Sequence, residues 1–257
     1  MQKLSLAAGY LLLLTFFGLW EGLARSGLVD ANSLPPVSGI VKSLWNLVAN
    51  MEIPTHSFIT LKRVVSGFGL GSFCGFVLGF ACGYIPRVYG MLELSLESMR
   101  PLPSVALIPI GVLFLGIGDS LNVAIIAWAC SWPVFINTMI GVRSTGHVLV
   151  NTARTFGYPR AKIILRVILP PCLPSIFTGL RIGLGIAVSV GIITEMVASG
   201  DGLGYFIRIT AISYQIPQMY AGILVIGVLG YLLNKIFLIL ENRVLSWHQG
   251  FNAQACK

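Results

Sequence analysis

Charged side chains are scarce in this chain: Asp, Glu, Lys and Arg make up 10% of the 257 residues, against about 25% in soluble domains. With 56% hydrophobic residues and a mean hydropathy of +0.85, that scarcity excludes a soluble globular class and points to an integral membrane protein. Acidic residues are the rarer sign, nine against seventeen basic ones. The resulting net charge of +8 does not form one nucleic-acid-binding run, because the basic residues stand beside the apolar segments, as positive-inside topology requires. Other absences narrow the function. There is no Gly-Lys dipeptide and hence no phosphate-binding loop, so nucleotide hydrolysis is not expected on this chain. Cys74, Cys82, Cys130, Cys172 and Cys256 show no Cys-x-x-Cys spacing and read as packing residues. His56, His147 and His248 have no carboxylate or thiol at ligand spacing, so no metal site and no resident cofactor is expected. No repeat and no Pro-, Ser- or Gly-rich linker divides the chain, which predicts a single transmembrane domain over residues 1–257.

What the sequence does contain is a set of apolar segments about 20 residues long, the length a helix needs to cross the hydrocarbon core. Six are expected, at about 6–24, 58–84, 88–117, 120–142, 172–198 and 218–241. No small-residue cleavage site follows the first; Trp20, Glu21 and Arg25 come instead, so it reads as a retained span. With Lys3 inside, six crossings put Arg87, the stretch from Arg143 to Arg166, Arg243 and Lys257 on the same side, so both termini are expected in the cytoplasm. Two outer stretches are expected to hold short helices, one after Leu34-Pro35-Pro36 and one after the turn Ser199-Gly200-Asp201-Gly202-Leu203-Gly204.

Within the second span Gly67, Gly71, Gly75, Gly79 and Gly83 recur every four residues. They form a small-residue stripe for close helix packing, expected within the chain before a subunit interface. Gly179, Gly183 and Gly185 suit either a helix contact or a solute path. Charges inside or at the edge of spans are functional candidates, since burying one in lipid costs roughly 3 kcal/mol. Arg63, Glu93, Glu97, Arg100, Arg181 and Glu195 qualify, with Arg63 and Glu93 expected to snorkel to an interface. Arg181 and Glu195 stand fourteen residues, about 20 Å, apart on one helix, so each needs a partner elsewhere or a wet cavity. Pro101, Pro103 and Pro109 follow Arg100 and predict a bend of the third span, beside a central pathway or as a bare kink.

The soluble-looking stretch lies between about 143 and 166, where Arg143, Arg154, Arg160, Lys162 and Arg166 meet no acidic residue. His147 to Phe156 predicts a short helix ended by a left-handed Gly157, with Phe156 as a knob for a groove on a partner. The alternative is a surface helix resting on its own membrane domain.

Here the pattern Asn151-Thr152-Ala153-x-x-x-Gly157, then Leu169-Pro170, resembles the loop signature of permease subunits in bacterial ATP-binding-cassette importers. Asn151 and Thr152 stand where that family usually has Glu-Ala. Leu34-Pro35-Pro36, Arg100-Pro101-Leu102-Pro103 with Ala106 and Pro109, Phe114-Leu115-Gly116-Ile117-Gly118, Leu180-Arg181, and Glu195 followed by Gly202-Leu203-Gly204 are similar to the nitrate, sulfonate and taurine branch. The resemblance implies an all-α type I importer permease in the inner membrane. It also implies a homodimer, two cytoplasmic ATPase subunits carrying ATP and magnesium, and an extracytoplasmic binding protein delivering a small anion such as nitrate, a sulfonate, taurine or bicarbonate. Asn151, Thr152, Ala153, Arg154, Thr155, Phe156 and Gly157 would then be the ATPase-coupling segment. Arg100, Pro101, Pro103, Arg181 and Glu195 are candidates for the solute path or its gate, and no residue is expected to be catalytic. The competing classes are a secondary transporter or channel working without an ATPase, and a membrane enzyme, which the scattered histidines argue against.

Overall fold

The computed structural model describes residues 2–26 and 33–246; the expectations that fall on Cys256, His248 and Lys257 lie outside them. The described residues are helical, with no strand among them. In chain order the helices are α1 (Gln2–Arg25), α2 (Val37–Ala49), α3 (Glu52–Tyr84), α4 (Pro86–Met99), α5 (Ile108–Leu115), α6 (Asp119–Arg143), α7 (His147–Thr155), α8 (Arg160–Ile163), α9 (Leu169–Ala198), α10 (Leu203–Ile212) and α11 (Ile216–Val244).

The glycine stripe decides how the centre packs. A side-chain carbon at Gly67 would lie 2.7 Å from Ile126, one at Gly79 2.9 Å from Thr138, and one at Gly83 2.7 Å from Val142, while Gly71 and Gly75 press on the α6 backbone from Ala127 to Phe135. Both residue numbers climb together, so α3 and α6 run parallel at the close approach that small residues permit. Gly69, off the stripe, has nothing within 4 Å. On the other side of α6, Gly141 meets Ser175 and Cys172, whereas Gly191 meets Ile126, so α9 runs antiparallel to α6. Val64, Ile126, Cys130, Ala187 and Val188 form the core where the three helices meet.

Because α3 and α6 are parallel, the chain between them must return across the bundle, and it does so through a broken element. The expectation of one continuous span at 88–117 is corrected here: α4 and the pair formed by a single tight turn (Ser104–Leu107) and α5 meet at 87°. Pro101 and Pro103 explain the break: neither has an N–H to continue the helix, and after a still-helical Arg100 the backbone becomes extended at Pro103. The expected start of the fifth span at 172 is also too late. Helical structure begins at Arg160 and continues through one π turn (Ile164–Ile168) into α9, giving 39 residues in all. That π turn precedes Pro170 and Pro171, and its wider register accommodates backbone that prolines cannot pair.

Four helices among the described residues are long and apolar enough to cross a membrane, the bent pair makes a fifth, and α1 supplies 24 residues at the expected first span. Both expected short outer helices are present as α2 and α10. Leu34-Pro35-Pro36 has a local reason: the Pro35 carbonyl accepts the Trp20 indole N–H at 3.1 Å, and Glu21 accepts the Ser38 N–H at 3.2 Å, one of the donors α2 leaves open at its start. Ile40 and Leu47 then bury one face of α2 against Phe206 and Ala221.

Candidate functional site

Two ends of the bundle carry chemistry. At one end lie Arg143, Arg154, Arg160, Lys162 and Arg166; at the other lie Asp119 and Asp201.

The acidic end is organised by Arg63. His56, Thr60, Arg63 and Gly67 follow at i, i+4, i+7 and i+11, so they share one face of α3. The expectation that Arg63 snorkels is corrected: its side chain is 3% exposed and is held by three carboxylates. Nε donates to Asp119 Oδ1 at 2.7 Å, Nη1 donates to Glu195 Oε1 and to the Asp201 carbonyl, both at 3.1 Å, and Nη2 donates to Asp201 Oδ1. Lys62 pairs with the other Asp119 oxygen at 3.0 Å. The guanidinium reaches these acids because its five donors fan out in one plane, which a lysine cannot reproduce. Snorkelling fails as an account because the partners sit inside the bundle, so the favourable direction for the charge is inward.

Glu195 thereby receives the partner its position demands, and it organises the turn that follows. The Thr60 hydroxyl donates to its carboxylate at 2.8 Å, the Gly204 N–H donates at 3.0 Å, and the Leu203 N–H donates to Thr60 Oγ1 at 2.8 Å. The Gly202 N–H donates to His56 Nδ1 at 3.0 Å. Gly202 sits at φ +94°, and any side chain there would run into the Glu195 carboxylate. Gly204 lies against the Ile192 carbonyl. Glu195 followed by Gly-Leu-Gly is therefore one device, a buried acid and the glycines that let backbone close over it. Sequence reasoning missed His56, Thr60, Asp119 and Asp201. The available signal was topological, since the six-span reading puts Asp119, Glu195 and Asp201 at the same membrane side as the start of the second span.

At the basic end α7 ends as the sequence predicts. Gly157 has φ +73°, its N–H donates to the Arg154 carbonyl at 2.9 Å, and the Tyr158 N–H donates to the Ala153 carbonyl at 3.1 Å, the paired bonds of a Schellman cap. Val150 and Ala153 pack on the cluster of Val142, Ile163, Ile168 and Cys172. Asn151, Thr152, Arg154, Thr155 and Gly157 are exposed, and Phe156 is 77% exposed. An aromatic ring that the chain's own core does not cover, beside a rigid cap, is a surface able to enter another protein's groove.

Arg100, Pro101 and Pro103 are exposed at the break between α4 and α5, and Arg181 is exposed on α9. Arg100 opens onto a cavity of about 250 Å³ that Trp128, Trp132 and Ile186 also line. Glu195 does not join them: it is 1% exposed and closed within the Arg63 cluster.

A family model described as a binding-protein-dependent transport system inner membrane component matches residues 71–246. The chain is 31% identical to the putative aliphatic sulfonates transport permease protein SsuC of Bacillus subtilis, over 95% of this chain and 88% of that one. It is 30% identical to the taurine transport system permease protein TauC of Escherichia coli, over 96% and 91% of the two chains. It is 29% identical to the nitrate import permease protein NrtB of Synechocystis, over 90% and 86%. Among solved structures it is similar to an inward-facing MetNI methionine ABC transporter, with a TM-score of 0.58 and 18% identity over 82% of this chain and 98% of that one. An amino acid ABC transporter gives a TM-score of 0.59 at 16% identity, covering 77% and 95%. At those identities the structures show the fold alone, that of a type I importer permease.

Proposed function

Since the chain belongs to the family of binding-protein-dependent transport system inner membrane components, in the nitrate, sulfonate and taurine branch of ABC permeases, we propose that it carries a small anion across the membrane by alternating access driven from α7. In this reading two copies of the chain enclose the path, two separate ATPase subunits grip the two α7 helices from the cytoplasm, and an extracytoplasmic binding protein delivers the solute. ATP and magnesium belong to the ATPase subunits. The basic end is then cytoplasmic, consistent with retention of Lys- and Arg-rich short loops on that side.

The observation that carries the reading is α7 itself. It is joined on one side to α6 through three residues and on the other, through α8, to α9, and both of those helices pack on the central core. A partner that pulls α7 therefore transmits force to helices flanking the path, and rigid-body motion of packed helices is the usual form of such a switch. Phe156 supplies the anchor and the Gly157 cap fixes its direction. The anion is favoured by the sulfonate, taurine and nitrate permeases that the chain resembles, and by Arg100 and Arg181, whose positive potential would raise the local anion concentration along the path.

The test is co-purification with the ATPase subunit and ATPase activity in liposomes, comparing wild type with Phe156→Asp and Gly157→Pro. Loss of a buried aromatic anchor is expected to cost at least about 2 kcal/mol, roughly 30-fold in docking affinity, and both variants should release or uncouple the ATPase at normal membrane abundance. Transport that needs no ATPase and tolerates both changes would make the chain a secondary transporter.

A further inference from the structure

Between the coupling helix and the bundle lies a cavity of about 540 Å³, which the proposed function leaves unused. Its apolar wall is formed by Tyr84 at the end of α3, Val142 at the end of α6, Val150 of α7 and Ile168; its polar lining includes the guanidinium-bearing residues Arg143 and Arg154. The arrangement follows from helix spacing. Val150 and Arg154 are four residues apart, so both lie on the face of α7 turned toward the bundle, leaving Val148 and Phe156 exposed at 78% and 77%. Arg154 is therefore directed back at the membrane domain.

Two guanidiniums share this space without an acid. Neither Arg143 nor Arg154 has a carboxylate within ion-pair reach among the described residues, and no Asp or Glu lines the cavity. Arg143 is partly engaged: its guanidinium stacks 4.1 Å over the Tyr89 ring and one N–H donates weakly to the Cys82 carbonyl at 3.4 Å. Stacking fixes the plane of the group and leaves other N–H donors free along its edge. One guanidinium held by stacking and a second without an acid, over an apolar wall, recognise an oxyanion that brings several acceptor oxygens, with phosphate matching the fork of donors best. A basic hollow at the end of membrane helices also suits an anionic headgroup whose acyl chains continue along the apolar surface.

We propose that this cavity is a binding site for a phosphate-class oxyanion, which bridges Arg143 at the end of α6 to Arg154 on α7 and holds the coupling helix against the bundle. The site rests on the cavity and its two arginines, and its occupancy can be measured whether or not α7 docks an ATPase. An anionic lipid and free inorganic phosphate offer the same chemistry, so the two are tested separately.

The full-length chain would be placed in nanodiscs of phosphatidylcholine, and hydrogen exchange of the α7 amides followed while either phosphatidylglycerol is added to the bilayer or inorganic phosphate to the buffer. Where local opening of α7 requires release of the anion, exchange slows about tenfold with the probe at ten times its dissociation constant. Protection by phosphatidylglycerol alone identifies a lipid site, and protection by both probes identifies a site open to soluble anions; each supports the proposal. Arg154→Gln, at an exposed residue with no internal partner to lose, should weaken the effect at least about tenfold, as removal of a charged hydrogen-bond donor does. Arg160→Gln, on α8 outside the cavity, should keep it. The proposal falls if neither probe protects α7, if Arg154→Gln is protected like wild type, or if Arg160→Gln loses as much as Arg154→Gln, which would mean diffuse attraction to a basic surface.

Discussion

Arg63 shows how one residue can hold an outer turn to three helices. Its partners differ in exposure: Glu195 is 1% exposed, while Asp119 and Asp201 are 47% and 48% exposed. Removing the arginine strands a buried carboxylate with Glu195 but only re-solvates the other two acids. The expected cost of Arg63→Met is therefore that of breaking a buried pair, about 3 kcal/mol or more, whereas Lys62→Gln, which breaks an exposed pair, should cost less than about 1 kcal/mol. The double variant Arg63→Met with Glu195→Gln should regain much of the loss, because a neutral amide keeps oxygen for the Gly204 N–H and Thr60 without the unpaired charge. Thermal unfolding of the four proteins in one detergent checks the ordering; equal losses for the arginine single and double variants would mean that the pair does not set stability.

At the level of elements, the glycine stripe of α3 makes a graded prediction. Gly75→Leu forces a branched side chain onto α6 backbone at Ser131 and Phe135 and should separate the helices, costing about 3 kcal/mol, the upper end for an overpacked core contact, because rigid backbone cannot relieve it. Gly69→Leu points where nothing lies within 4 Å and should fold like wild type. Membrane abundance and melting temperature of the two variants distinguish them, and equal behaviour would remove the stripe as the α3–α6 contact. The stripe was legible in sequence because small residues every four positions have one structural meaning. The α7 cap was legible for a similar reason, since Gly157 after a short basic helix needs only local geometry. What was not legible depended on distance. The sequence reading left Arg63 at an interface because its three acids lie 56, 132 and 138 residues away, and no local pattern reports that they converge. The break after Met99 was foreseen as a bend from Pro101 and Pro103, but a right-angled turn requires the parallel α3 and α6, a relation only tertiary contacts reveal.

For the whole molecule, the faces left uncovered by a single copy differ in chemistry, and that difference predicts what each one meets. Along α9, Gly179, Gly183, Ala187 and Gly191 are buried, whereas Thr178, Arg181, Gly185 and Ser189 are exposed in one stripe. The non-helical backbone and exposed Arg100 at the break between α4 and α5 present a second polar surface. Neither suits hydrocarbon: a charge at membrane depth costs roughly 3 kcal/mol, and irregular backbone there must be covered by protein or water. The outer face of α3, by contrast, carries Phe73 and Val77, exposed and apolar. In a Cys74→Ser background, cysteines replacing Gly185 and Ser189 are therefore expected to react with a membrane-impermeant thiol reagent, while cysteines replacing Phe73 and Val77 react only with a membrane-soluble one. The same surface should act on the solute. If Arg181 supplies attractive potential to an anion in transit, Arg181→Gln lowers initial uptake by about tenfold or more at equal membrane abundance, the lower end of what focused charge contributes to encounter rates, with the loss diminishing as ionic strength rises. Unchanged uptake would leave Arg181 lining water without selecting what passes, and failure of the water-soluble reagent to reach Gly185→Cys in any nucleotide condition would move the path to another face of the bundle.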